Sequence, residues 1–130
     1  MTGVGGTGEE GEPSASGGGV SIFFARPSWQ SGLGIPLANS RHVPDVALTA
    51  SGIQNGYLVF IGGEQDVYGG TSVPTPAFAA LAVLLNQHLV LSGIQSAAGL
   101  GNINPKLYSL AQTAPSVFYD ITSGDKHCDG

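Results

Sequence analysis

A serine whose hydroxyl could attack a carbonyl stands in the stretch Gly69-Gly70-Thr71-Ser72-Val73-Pro74-Thr75-Pro76, at the start of a long apolar run. That chemistry needs the hydroxyl on a tight turn at the N-terminus of a helix. There the dipole and the free backbone N–H groups favour negative charge on the substrate's carbonyl oxygen. Gly69 and Gly70 permit such a turn. Pro74 and Pro76 fall within the first helical turn, where a missing donor costs little and a fixed φ stiffens the helix start. The same residues also suit an ordinary helix, because serine is a favoured N-cap and glycine a favoured turn residue. The local sequence fits a nucleophile without demanding one.

The elements that would position Ser72 follow from the patterning on either side. Residues 76–91, PAFAALAVLLNQHLVL, are apolar around nearly the whole helical circumference as far as Asn86, which predicts a helix in the middle of a large fold. Residues 45–49 and 57–61 are β-branched and aromatic on successive positions, which predicts strands covered on both faces. A short strand begins at Val20 and stops at Arg26-Pro27, since proline removes a ladder donor. Residues 64–67 read as a connector or strand, and Asn104-Pro105 as the cap and first position of a helix through about Ala111. Residues 8–19 read as an exposed loop whose Gly17-Gly18-Gly19 either passes close to another segment or is plain linker. Strands alternating with helices make this an α/β chain.

At 130 residues the chain has the size of one domain, or part of one. Hydrophobic residues make up 42% and charged residues 10%, so the composition is not that of a disordered tail. Nine acids against four Lys and Arg give a net charge of −5, which offers nucleic acid and anionic lipid no basic stripe. The scarcity of Lys and Glu is compatible with an acid-adapted secreted protein. The first residues, MTGVGGTGEEGEP, have neither the basic nor the apolar region of a signal peptide, and no stretch approaches the ~20 apolar residues of a membrane span. Cys128 is alone, so no disulfide closes within the chain.

Eight stretches, in order, resemble the C-terminal part of the sedolisin family, the serine-carboxyl peptidases of the subtilisin-like superfamily. They are VGGT at 4–7, SGGGVSIFFARPSWQ at 16–30, Arg41 with VPDVA at 43–47, Gly56-Tyr57, YGGTS at 68–72, LLNQ at 84–87, NPKLY at 104–108 and FYDITSG at 118–124. The resemblance implies part of a subtilisin-like fold, with a mainly parallel sheet and a central buried helix following the nucleophile. It also implies hydrolysis of peptide bonds at acid pH, with Ser72 as nucleophile, and a secreted location. In that family a glutamate serves as the base, an aspartate orients it, and a second aspartate donates to the oxyanion. A carboxylate has a pKa suited to acid conditions, where histidine would be protonated and useless as a base.

The partners of Ser72 are not found in this sequence. The family's glutamate and aspartate lie four apart on an upstream helix, and the chain contains no Glu-x-x-x-Asp. The oxyanion aspartate belongs to a segment preceding VGGT, which here lies almost at Met1. Glu9, Glu10 and Glu12 read as solvated loop acids. His42, Asp45 and Ser72 have the residue types of a histidine triad, but their order differs from the Asp, His, Ser order of subtilisins. His88 reads as a polar residue at a helix end and His127 as a tail residue, neither with a second metal ligand at suitable spacing. The expected partners are therefore a polypeptide substrate and the missing N-terminal part of the catalytic domain, with residues 1–130 forming the C-terminal portion; neither nucleic acid nor membrane is expected.

The resemblance also implies a calcium ion near the C-terminus. Asp120 and Ile121 match two of its ligands, a carboxylate and a backbone carbonyl, although Asp120 equally suits a turn cap. The family's remaining ligands come from a Gly-rich, Asp-containing loop further on, so the site is partial and binding is expected to be weak or absent. The competing reading is a self-standing noncatalytic module that keeps a peptidase-derived scaffold for binding or assembly.

Overall fold

The computed structural model describes residues 1–8 and 16–121. The elements run β1 (Val4–Thr7), β2 (Gly19–Ala25), β3 (Ser40–Val43), β4 (Val46–Thr49), β5 (Tyr57–Ile61), β6 (Glu64–Tyr68), α1 (Pro74–Leu91) and α2 (Asn104–Thr113), followed by a 3-10 turn at Pro115–Val117. Strands and helices are both present, as an α/β chain requires, but among the described residues all the strands come first and the helices after them, in place of the alternation that the patterning predicts.

The sheet differs from expectation. β1 and β4 pair in parallel, Val4 opposite Val46 and Thr7 opposite Thr49, whereas β2–β3 and β5–β6 are antiparallel. Among the described residues the strands form three separate two-stranded sheets, one of them parallel, in place of a mainly parallel sheet. The physical reason lies in the connections. An antiparallel pair such as β5–β6 closes across Gly62-Gly63, but each parallel neighbour requires a crossover of a dozen or more residues, and the described residues complete one.

Burial differs too, for a related reason. α1 lies against β1 and β4, yet Pro74 is its one buried residue. Its less exposed stripe is Pro74, Ala77, Phe78, Ala82, Asn86, Leu89 and Val90, while Val83, Leu84 and Leu91 are 67%, 60% and 79% exposed. A helix apolar all round needs a layer on each side, and here one side has one. β5 is likewise open, with Leu58 and Phe60 exposed, where cover on both faces was expected. By length and composition alone α1 could also cross a membrane, which is weak evidence for a single helix.

What packs tightly is the junction of β1, β4 and the start of α1. Ala50 is the one fully buried hydrophobic side chain among the described residues. A Cβ on Gly6 would sit 2.5 Å from Ala50 Cβ and 3.5 Å from both Pro74 Cγ and Thr71 Cα. β1 thus has to be glycine-rich for the helix start to approach it.

Candidate active site

The turn bearing Ser72 hangs from the end of β4. The Gly70 N–H donates to the Ala50 carbonyl at 2.6 Å, and the Val73 N–H donates back to the Gly70 carbonyl at 3.2 Å. Gly70 has φ +90°, a conformation open to glycine at little cost. Gly69 is constrained differently. A Cβ there would lie 2.7 Å from the carbonyl carbon of Ser51 and inside contact distance of Gly52. Ser51 is itself buried, and its hydroxyl accepts from the N–H groups of Ile53 at 3.3 Å and Gln54 at 2.9 Å, fixing the loop on which Gly69 rests.

Ser72 emerges from this support exposed, two residues ahead of the first helical residue, Pro74. The N-cap position is taken by Val73, and no side chain caps the helix. Its capping role, one of the two readings of the sequence, is therefore not performed. What remains is a hydroxyl presented to solvent beside a helix N-terminus, on a turn pinned from behind.

At the opposite end of β4 a second polar centre has formed, and its components were visible in the sequence only as separate motifs. The Asp45 side chain is fully buried and paired with Arg41. Its Oδ2 also accepts from the Gly3 N–H at 2.8 Å and from Asn104 Nδ2 at 3.3 Å, and its Oδ1 accepts from the Tyr108 hydroxyl at 3.0 Å. Gln30 Nε2 donates to the Tyr108 oxygen at 2.6 Å and to the His42 carbonyl at 2.9 Å. Asn104 was expected to cap α2. Instead Ile103 holds the N-cap position, and the Asn104 side chain accepts from Thr2 Oγ1 at 2.6 Å and donates to the Met1 carbonyl at 3.2 Å. Trp29 closes the cluster, its ring 5.2 Å from that of Tyr108 and 5.2 Å below the Arg41 guanidinium. Burial pushes the Tyr108 hydroxyl above the usual tyrosine pKa; the Gln30 hydrogen bond opposes that and the Asp45 carboxylate adds to it.

This arrangement does not form the histidine triad whose residue types the sequence contains. The oxygens of Asp45 are held by Gly3, Arg41, Asn104 and Tyr108, with no bond from His42. His42 Nε2 is buried without a partner among the described residues. Asp45 precedes β4 while the turn of Ser72 is bonded through Gly70 to Ala50 beyond the strand's other end, and five residues of strand rise span roughly 16 Å from Asp45 to Ala50. His88 lies exposed in the last turn of α1. Glu9, Glu10, Glu12, Asp125, His127, Cys128 and Asp129 lie outside the described residues.

Asp120 and Ile121 are exposed beyond the 3-10 turn, and among the described residues no group of three or more His, Cys, Asp or Glu gathers to hold a metal. Calcium takes six to eight oxygens. The two described residues therefore do not by themselves fit the ion.

No family model matches the chain. Among curated proteins it is similar to kumamolisin of Bacillus sp. (strain MN-32), 43% identical over 117 residues that cover 85% of the chain and 19% of the relative. It is also similar to sedolisin of Pseudomonas sp. (strain 101), 32% identical over 117 residues, 89% of the chain and 18% of the relative. Tripeptidyl-peptidase 1 of Homo sapiens is 35% identical over 120 residues, 84% of the chain and 20% of the relative. The chain therefore spans about a fifth of the length of these relatives. Aligned over most of its length with kumamolisin, sedolisin and tripeptidyl-peptidase 1, the chain is a segment of the sedolisin family.

Proposed function

We propose that the chain is the C-terminal, nucleophile-bearing portion of a serine-carboxyl peptidase, and that Ser72 attacks the scissile carbonyl of a polypeptide substrate, in acid, when the rest of the catalytic domain is present. The observation that carries this reading is the turn itself: an exposed hydroxyl, not engaged in capping, beside the N-terminus of α1 and held by the Gly70–Ala50 hydrogen bond. The relatives' identity over most of the chain supports it.

In this reading a glutamate from the missing N-terminal part takes the Ser72 proton, and the negative charge on the attacked oxygen is stabilised by a second carboxyl from that part. Among the described residues no group is placed to take the proton, and in this reading the chain is inactive by itself. Its parallel β1–β4 pair becomes part of a mainly parallel subtilisin-like sheet, and α1 its central helix. Secretion belongs to the same family reading. In the same reading Asp120 and the Ile121 carbonyl would supply two of the oxygens around a calcium ion, a partial site in which binding is weak or absent.

The test supplies the remaining part of the kumamolisin chain in trans and follows hydrolysis of a chromogenic peptide from pH 3 to 8. Hydrolysis in acid that falls at least about a thousandfold in Ser72→Ala is the expected result. Turnover indifferent to that substitution overturns the assignment and leaves the noncatalytic module as the better account.

A further inference from the structure

We propose that Asp45 is a positioning residue for the reaction at Ser72: it fixes the point at which the chain enters β1, and with it the preceding segment that brings the carboxyl for the oxyanion. The inference rests on the peptidase reading and adds how the two parts of the site are held at a set separation. Asp45 grips Gly3 from two sides. Its Oδ2 accepts from the Gly3 N–H at 2.8 Å, and its own N–H donates to the Gly3 carbonyl at 2.8 Å, where the Val46 N–H joins it at 3.3 Å. The rest of β1 is placed by shape. A Cβ on Gly5 would lie 2.8 Å from Pro44 Cγ, and one on Gly6 2.5 Å from Ala50 Cβ, so only glycine allows that approach. A Cβ on Gly3 would meet nothing closer than 3.4 Å. Shape does not hold the entry to β1, and the bonds to Asp45 do.

The carboxylate is itself held in place. Its side chain is fully buried, with Arg41 and Asn104 Nδ2 on Oδ2 and the Tyr108 hydroxyl on Oδ1, and a buried network satisfied in this way is rigid. At the far end of the same strand pair the Ala50 N–H donates to the Thr7 carbonyl at 2.7 Å, and the Ala50 carbonyl takes the Gly70 N–H. β1 and β4 thus form a short rule with Asp45 at one end and the nucleophile's turn at the other. A group carried by the segment before Gly3 is placed against Ser72 through that rule, and a misplacement of ~1 Å at a reacting centre costs about a hundredfold in rate.

The experiment uses a chimera in which residues 1–130 replace the aligned part of kumamolisin, so that the preceding segment is joined to Met1. Hydrolysis of a chromogenic peptide is measured in acid, well below each variant's melting temperature. Inhibition by the matching peptide aldehyde is measured beside it; the Ser72 oxygen bonds to the aldehyde carbon and the hydroxyl proton passes to the former carbonyl oxygen, giving a hemiacetal. Asp45→Ala should lower kcat at least about tenfold and weaken the aldehyde by a similar factor, with KM within about twofold. Gly3→Pro, which removes the N–H from the other side of the same bond, should do likewise. Asp45→Asn keeps an acceptor for that N–H and should recover most of the loss. Tyr108→Phe takes a hydrogen bond from the carboxylate without touching Gly3, and should lower the melting temperature while leaving kcat unchanged. If Asp45→Ala does not fold, Gly3→Pro carries the test. An unchanged kcat in either variant, a loss confined to KM, or an equal loss in Tyr108→Phe overturns the proposal and leaves the peptidase reading intact. A folded, unsubstituted chimera without turnover removes the two together.

Discussion

The Gly70 N–H lies 2.6 Å from the Ala50 carbonyl, and this bond joins the turn of the candidate nucleophile to the end of strand β4. Ala50 is at the same time the buried side chain against which Gly6 of β1 closes. The position of Ser72 is therefore set by a strand pair and a backbone contact. The side chains that contribute lie behind the turn, Ala50 and the Ser51 hydroxyl.

Gly69→Ala should break that support. The added methyl would be driven into the Ser51–Gly52 backbone, which cannot yield as a flexible side chain could. Amide exchange at Gly70 should accelerate at least tenfold. Gly70→Ala meets no neighbour and pays only for φ +90°, a cost of roughly 1–2 kcal/mol, so its exchange should change less. The reverse ranking would show that the close approach of Gly69 to Gly52 does not fix the turn.

Asp45→Ala should loosen the far end of β4. It strands the Arg41 guanidinium and leaves the Gly3 N–H and the Tyr108 hydroxyl short of an acceptor, a loss of about 3–5 kcal/mol for a buried pair. Trp29, the chain's single tryptophan, stacks on this cluster and reports it by fluorescence. The urea midpoint of that signal should fall sharply in Asp45→Ala and less in Asp45→Asn. An unchanged midpoint would mean that the cluster contributes nothing.

Tyr108 supplies a pH signature of the same centre. Its folded pKa is raised above the usual 10.0, chiefly by burial, so the neutral hydroxyl is the form that the fold prefers. Its contribution is complete below pH 10.0 and is lost as pH climbs through the raised value. Absorbance titration should find one of the four tyrosines ionising later than the rest, and Tyr108→Phe should remove that late step.

Much of this was legible in the residue pattern, and the exceptions share a cause. The turn at Gly69-Gly70, the apolar run that becomes α1 and the family motifs are local, and local spacing reports them. The Asp45 cluster is not local. Asn104 and Tyr108 reach Asp45 across 59 and 63 residues, so Asn104 looked like a helix cap until the tertiary path brought it to Met1 and Thr2. The openness of α1 was legible in outline: a helix apolar all round, in one segment of a larger fold, has a face left uncovered by that segment. Which face it is depends on the tertiary path, and local spacing does not report that.

Calcium should raise the melting temperature of the chain little, since Asp120 and Ile121 provide too few oxygens for the ion. A large calcium-dependent rise that Asp120→Ala abolishes would show that further ligands complete the site.

The central claim, that Ser72 is a nucleophile whose activating base is carried by another part of the domain, is tested most directly by covalent labelling. A fluorophosphonate is added to the chain with and without the remaining part of kumamolisin, and the modified residue is located by mass spectrometry. The account predicts labelling at Ser72 when that part is present and none when the chain is alone. Labelling of a different residue in the complex, or rapid labelling of Ser72 in the isolated chain, would contradict it.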